Sequence, residues 1–241
     1  MNPNLNPNLK FYPERRASSL EERIVYQTFQ ESIRAGSCKV QELHIAHKQE
    51  LITSEQCISL LFLLAEELEK RASIDVLTKV LNRAFLEPDL EGLIRELNSD
   101  IEKRRLPIQS VMVIFLDIRR FKDLNDNHGG HKVGDRALVT VAERLKNGTK
   151  RQDMIFRVGG DEFVVLLPIT DNNPQLLETI FERIRNSVNT NLSVEDHKGV
   201  SIPFSVSMGF EVLNKGDSAT AVELLAKADG KMYEEKNRTK N

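Results

Sequence analysis

Two short acidic segments have the composition of a reactive site. Phe115-Leu116-Asp117 ends an apolar run on a carboxylate, and Gly159-Gly160-Asp161-Glu162-Phe163 sets two adjacent acids behind a pair of glycines. A carboxylate at the end of a buried strand stands where open α/β sheets present ligands to a crevice. Paired glycines let the backbone approach a bulky polar ligand while the acids after them point out of the turn. Mg²⁺ takes one or two carboxylates and completes its shell with water and substrate phosphate, so Asp117 and Asp161 would make a nucleotide–metal site if the fold brings them together. Between them in the chain stand Lys122, suited to a phosphate, and Asn125 and Asp135, suited to a base edge. Each has an ordinary structural reading when taken alone: a cap, a solvated charge, hairpin chemistry. It is their combination that points to nucleotide chemistry.

These residues need elements to hold them, and the hydrophobic pattern supplies them. Ile108 to Asp117 reads as a buried strand after the break at Pro107. Met154 to Val158 and Glu162 to Leu167 read as strands of a hairpin closed by Gly159-Gly160-Asp161. Ile202 to Leu213 is a further strand, with Phe204, Val206, Met208 and Phe210 alternating. Helices are expected over Asn82 to Arg105, from about Arg119, and over Val133 to Lys146, Pro174 to Asn189 and Ala219 to Lys236. The fold class expected is an α/β sandwich with one mixed central sheet flanked by helices.

The 241 residues exceed one minimal domain and fall short of two full ones, which predicts a main domain with a smaller appendage. Hydrophobic residues at 40% and charged residues at 29% exclude wholesale disorder. A net charge of −2, spread evenly along the chain, favours neither a nucleic-acid coat nor a polybasic membrane anchor. The longest apolar stretches, Leu60 to Ala65 and Val111 to Leu116, fall far below the roughly 20 residues of a membrane span. Cys38 and Cys57 make no disulfide framework, and a soluble protein of the reducing cytoplasm is expected.

The appendage reads as helical. Residues 1–17, which repeat Asn-Pro-Asn-Leu, are expected to be a disordered tail, and 18–73 a helical module ahead of the main domain at 74–241. Its first helix starts near Ser18 and stops at Ala35-Gly36-Ser37, its second runs from Val40 towards Leu51, and Thr53 or Ser54 caps a third. In that third helix Ile58, Leu61, Ala65, Leu68 and Ala72 follow the 3-4-3-4 spacing of a short coiled-coil seam, equally consistent with packing inside the module. His44 and His47, spaced i,i+3, could bind a metal together with Cys38 or Cys57, but such pairs on an exposed helix face usually bind nothing.

Five segments in order resemble the GGDEF-domain diguanylate cyclases. They are Asp75-Val76-Leu77-Thr78 with Asn82-Arg83; Asp117-Ile118 with Phe121-Lys122 and Asn125-Asp126; Gly130-His131 with Gly134-Asp135; Arg157 to Phe163; and Ala228-Asp229 with Met232-Tyr233 and Lys236. The resemblance implies a nucleotidyl-cyclase, palm-like domain from about Ile74 onward that condenses two GTP into cyclic di-GMP. It further implies that Asp117, the Ile118 carbonyl and Asp161 hold Mg²⁺ or Mn²⁺, with Glu162 as a second acid, either ligand or proton acceptor. By the same resemblance Gly159 and Gly160 belong to the catalytic turn, Asn125 and Asp135 bond guanine, and Leu77 packs on the base. Lys122 and Lys236 would meet the β- and γ-phosphates, and Lys240 stands where an arginine commonly assists. One domain holds one GTP, so two copies must face each other, and the N-terminal helices are expected to pair them as a homodimer. Downstream partners would be cyclic di-GMP receptors.

The sequence departs from the family at several places. Arg119 replaces the second acid of Asp-x-Asp, which predicts surviving activity with weaker metal binding. One extra residue lies within Asn127-His128-Gly129-Gly130, and Lys79-Val80 stand where Gly-Leu is usual. The family's product-inhibition motif becomes Lys150 and Asp153, with Arg151 out of register, and Lys lacks the forked donors that grip a guanine edge or phosphate. The alternative is an impaired GGDEF module that binds GTP or cyclic di-GMP as a receptor or scaffold. Asp135 at a base-reading position favours guanine over adenine products.

Overall fold

A computed structural model describes residues 19–99, 107–128 and 130–238. The tail expected over 1–17, Lys240, Gly129 and the helical continuation expected over 100–105 lie outside the described residues, as does the side chain of Ala72. The chain forms two compact units that divide between Ala72 and Ser73. Among the described residues no helix is long and apolar enough to cross a membrane.

The first unit is three helices, α1 (Ser19–Ala35), α2 (Val40–Lys48) and α3 (Ser54–Ala72). α1 stops where Gly36 turns to a φ of 78°, which lets the Gly36 and Ser37 amides bond back to the carbonyls of Ile33 and Ser32. α3 starts on a reciprocal cap: the Thr53 amide donates to Gln56 Oε1 at 2.8 Å and the Gln56 amide to Thr53 Oγ1 at 3.2 Å. Phe29, Ile33, Leu43, Ala46, Ile52, Leu60 and Leu64 form the core. α3 therefore faces inward through Cys57, Leu60 and Leu64, whereas Ile58, Leu61, Ala65 and Leu68 of the expected seam are exposed, with Phe62 beside them at 69%. His47 Nδ1 lies 3.4 Å from the Ile52 carbonyl oxygen, and burial, with Glu42 next to it, pushes the Cys38 thiol up to about 11. A neutral thiol and an engaged imidazole are structural groups here.

The second unit is a five-stranded mixed sheet between two helical layers. Its elements are β1 (Leu81–Asn82), a 3₁₀ turn (Arg83–Phe85), α4 (Leu86–Leu97), β2 (Ser110–Ile118), α5 (Phe121–His128), α6 (His131–Gly148), β3 (Met154–Arg157), β4 (Glu162–Ile169), α7 (Pro174–Asn189), β5 (Ser193–Glu195), β6 (Ser201–Pro203), β7 (Val206–Asn214) and α8 (Ala221–Arg238). The strand order is β1-β3-β4-β2-β7, with β1 parallel to β3 and every other pair antiparallel, while β5 and β6 form a separate hairpin.

β2 is covered on both faces, which is why it reads as an unbroken apolar run. Its even-numbered residues Met112, Ile114, Leu116 and Ile118 pack with Val141 and Leu145 of α6 and Phe181 and Ile184 of α7. Its odd-numbered residues Val111 and Val113 pack with Leu90 and Leu93 of α4 and Leu224 and Ala228 of α8. The long helix expected from Asn82 begins instead with a strand and a 3₁₀ turn, because Leu81 and Asn82 pair with Phe156 and Arg157, and the Asn82 side chain caps Ala84. The single strand expected over Ile202 to Leu213 is two, since Phe204 and Ser205 separate β6 from β7.

Candidate functional site

The register of the central strands builds the acidic site. Asp117 on β2 lies directly opposite Glu162 on β4 and Ser207 on β7. By alternation both acids project to the face covered by α4 and α8. Across that face Lys236 donates to Asp117 Oδ1 at 2.6 Å, and Asp117 is 6% exposed. Asp161 sits in the turn before β4, where its carbonyl accepts the Ile118 amide at 3.2 Å and ties together the backbones of two expected ligands. Ser207 Oγ, on the strand partner of Asp117, is buried without a hydrogen-bond partner among the described residues.

Two of these acids hold their protons more tightly than usual. Burial first, and then the Asp117 carboxylate, raises Asp161 above its ordinary value. Glu162 is raised by burial and then by Asp117, Asp161 and Asp229. Such a cluster favours an added cation. Among the described residues no three His, Cys, Asp or Glu side chains converge as a preformed metal cage. A pair of carboxylates beside an orphan hydroxyl instead fits a Mg²⁺-type ion whose shell a substrate completes.

The glycine turn is held by Arg157, which precedes it in the chain. Arg157 Nη2 donates to the Gly160 carbonyl at 2.8 Å, and its Nη1 lies 3.3 Å from Asp75 Oδ1. Asp75 also accepts from the Thr78 amide at 2.8 Å and the Thr78 hydroxyl at 2.6 Å. Burial pushes the Asp75 carboxyl up, but those bonds and Arg157 outweigh it and hold it below the ordinary value. Lys79 in this turn has a φ of 56°, left-handed backbone that glycine adopts without strain, and Val80 fills the core where Leu is usual. A Cβ on Gly159 would collide with the Glu162 carboxylate, whereas one on Gly160 would meet nothing within 4 Å. Gly159 thus makes room for Glu162, and the space beside Gly160 is open. A cleft of about 810 Å³, lined by Arg83, Phe115, Glu162, Leu225 and Asp229, opens on the same side.

The expected base-reading residues form a second group at the start of α5 and α6. Asn125 Oδ1 is buried without a partner and packs on Gly134, where any Cβ would overlap it. Lys122 is exposed on the first turn of α5, Asp135 is exposed one turn into α6, and Leu77 packs at the edge of the core. Arg119 does not extend the acidic group: its Nη2 donates to the Glu235 carbonyl of α8 at 3.2 Å. At the expected inhibitory motif Asp153 Oδ2 accepts the Lys150 amide at 2.7 Å, closing its own turn. Arg157, Gly134 and Ser207 join the site without being among its expected residues. Arg157 and Gly134 lie within the resembling segments, where their neighbours are the available signal; Ser207 has none.

Comparison with known proteins agrees with this geometry. The family model described as "Diguanylate cyclase, GGDEF domain" matches residues 72–241. The bifunctional diguanylate cyclase/cyclic di-GMP phosphodiesterase MucR of Pseudomonas aeruginosa is 35% identical over 175 residues, 73% of this chain and 24% of that protein. The chain thus spans about a quarter of that relative's length. The isolated GGDEF domain of TpbB (YfiN) from Pseudomonas aeruginosa superposes with a TM-score of 0.58 at 32% identity, covering 68% of this chain and 89% of that one. The diguanylate cyclase SiaD of the same species, solved with its activator SiaC, has a TM-score of 0.58 at 26% identity and covers 90% of this chain and 80% of its own. The family match over the second unit, together with the strand register beneath its acidic turn, makes this chain a member of the GGDEF-domain diguanylate cyclase family.

Proposed function

We propose that the protein condenses two GTP into cyclic di-GMP and two pyrophosphates. The observation that carries this is the meeting of Asp117, Asp161 and Glu162 at the ends of β2 and β4 with Lys236 bonded to Asp117. Asp117, Asp161 and the Ile118 carbonyl would hold Mg²⁺ or Mn²⁺. When bound, the metal neutralises charge on the triphosphate and the leaving pyrophosphate. Lys122 and Lys236 bind the β- and γ-phosphates, with Lys240 assisting. Asn125 and Asp135 bond the guanine, which the unpartnered Asn125 Oδ1 supports, and Leu77 packs on the base. Glu162, with its raised affinity for protons, is the acid nearest to act as ligand or proton acceptor.

Each domain supplies one GTP, so the 3′-oxygen of one nucleotide attacks the α-phosphorus of the other across a pair of domains. The gain comes from proximity and orientation. We assign the pairing to the N-terminal helices, because α3 keeps Ile58, Leu61, Ala65 and Leu68 exposed while its opposite face fills the core. Residues 18–73 are the dimerisation or input module and 74–241 the cyclase, acting in the cytoplasm on GTP and supplying cyclic di-GMP receptors. The Lys150 motif, with Asp153 turned onto its own backbone, predicts weak feedback inhibition.

The test is direct. Purified protein incubated with GTP and Mg²⁺ should yield cyclic di-GMP and pyrophosphate, at a rate that added product leaves unchanged. Asp161→Ala should abolish turnover and leave the fold intact, since Asp161 sits on a half-exposed turn. GTP binding without product at high protein concentration would overturn the cyclase reading in favour of a receptor.

A further inference from the structure

α8 ends on residues held from several sides. Glu235 lies in the last turn of α8. Its carbonyl accepts from Arg119 Nη2 at 3.2 Å. Its carboxylate accepts from the Met208 amide of β7 at 2.7 Å and lies 3.5 Å from Arg185 Nη2 of α7. Arg119 is itself fixed by its backbone, whose amide donates to the Ser205 carbonyl at 2.9 Å. The next residue, Lys236, reaches Asp117 at 2.6 Å. A guanidinium at a helix C-terminus also complements the negative end of the helix dipole.

We propose that Arg119 is a positioning residue: it pins the last turn of α8 to the end of β2 and so aims Lys236 at the phosphate side of the Asp117 cluster. The proposal rests on the reading of Lys236 as a triphosphate contact. An acid at position 119 has no proton to donate to the Glu235 carbonyl at neutral pH and would repel the helix end. Restoring the family's acid with Arg119→Asp therefore harms this chain rather than repairing it. Arg119→Lys keeps one donor and retains part of the effect.

The experiment is titration calorimetry on the full chain with Mg²⁺ and either a non-reacting α,β-methylene analogue of GTP or GMP. Arg119→Ala and Arg119→Asp should weaken the triphosphate about tenfold, the scale of one lost charge-assisted hydrogen bond, and leave GMP unchanged because it has no β- or γ-phosphate. In a Lys236→Ala background, Arg119→Ala should cost less than about twofold, the sign of two residues acting as one unit. Equal losses for both nucleotides, or an undiminished loss in the Lys236→Ala background, would overturn the proposal. Amide exchange in the free protein gives a readout independent of nucleotide: Arg119→Ala should speed exchange in the last turn of α8 while the melting temperature holds, and unchanged exchange would equally overturn it. If wild-type protein binds neither nucleotide, or Lys236→Ala costs nothing, the reading of the site fails, and the exchange result still decides the pin.

Discussion

At the scale of single residues, the two glycines of the acidic turn make different demands. A methyl on Gly159 would lie 3.2 Å from Glu162 Cδ and closer still to its carboxylate oxygen, so the end of that side chain would have to move. Gly160 faces open space, and neither has a left-handed φ. Gly160→Ala should therefore stabilise the free protein slightly, about 0.4–1 kcal/mol through the unfolded chain, yet lower turnover at least about tenfold if the triphosphate approaches that backbone. Gly159→Ala should lose turnover by displacing Glu162, and thermal melts run beside the cyclase assay separate the two effects. The acids carry a pH signature. Asp161 and Glu162 hold their protons more tightly folded than unfolded, so their contribution favours the fold below the ordinary carboxylate value and is lost as pH rises through their raised folded values. Without metal, Asp161→Asn should raise the melting temperature near pH 7 by about 1–3 °C, small because half-exposed charges are screened, and the gain should vanish near about pH 4. Melts of both proteins in chelator at the two pH values check it.

At the scale of elements, α3 shows how far sequence reaches. Ile58-Ser59-Leu60-Leu61-Phe62-Leu63-Leu64 is apolar most of the way round, so periodicity fits two stripes, and only the docking of Phe29, Ile33 and Leu43 chooses Leu60 and Leu64 as the inner one. The prediction separates the stripes. Leu60→Ala should destabilise the helical unit by about 2–5 kcal/mol, the cost of a buried cavity, whereas Leu61→Glu should leave its far-ultraviolet circular dichroism and, at concentrations where both proteins are monomeric, its melting temperature nearly unchanged. In the second unit, the strand before Asp117, the hairpin around Gly159-Gly160 and helix α7 were legible because each is a local pattern with its own punctuation. The parallel pairing of β1 with β3 and the β5–β6 hairpin were not, since two- and three-residue strands carry almost no periodicity and exist through partners distant in the chain. The acidic site was legible as residue types in order. The register that sets Asp117 opposite both Glu162 and Ser207, and the use of Arg119 on α8, depend on packing that no local pattern records.

At the scale of the whole molecule, the proposed reading gives each chain one nucleotide site among the described residues, so a reaction joining two nucleotides should be second order in protein until the chains pair. The exposed Ile58, Leu61, Phe62 and Leu68 have the side chains that a helix partner would bury, at about 0.025 kcal/mol for each square ångström of apolar surface removed from water. A glutamate in that stripe adds a like charge on each partner and removes apolar area, so it weakens pairing without touching the cyclase residues. Specific activity should therefore rise with protein concentration and level off where the dimer saturates. In Leu61→Glu the same curve should shift to at least about tenfold higher concentration, the effect of roughly 1.4 kcal/mol at an interface, and approach the same plateau. Sedimentation should place the monomer–dimer transition in the same range for each protein. Specific activity independent of concentration in a protein that sediments as a monomer would place both nucleotides on one chain, and a lowered plateau at full dimerisation would give α3 a role in orienting the two domains as well as in joining them.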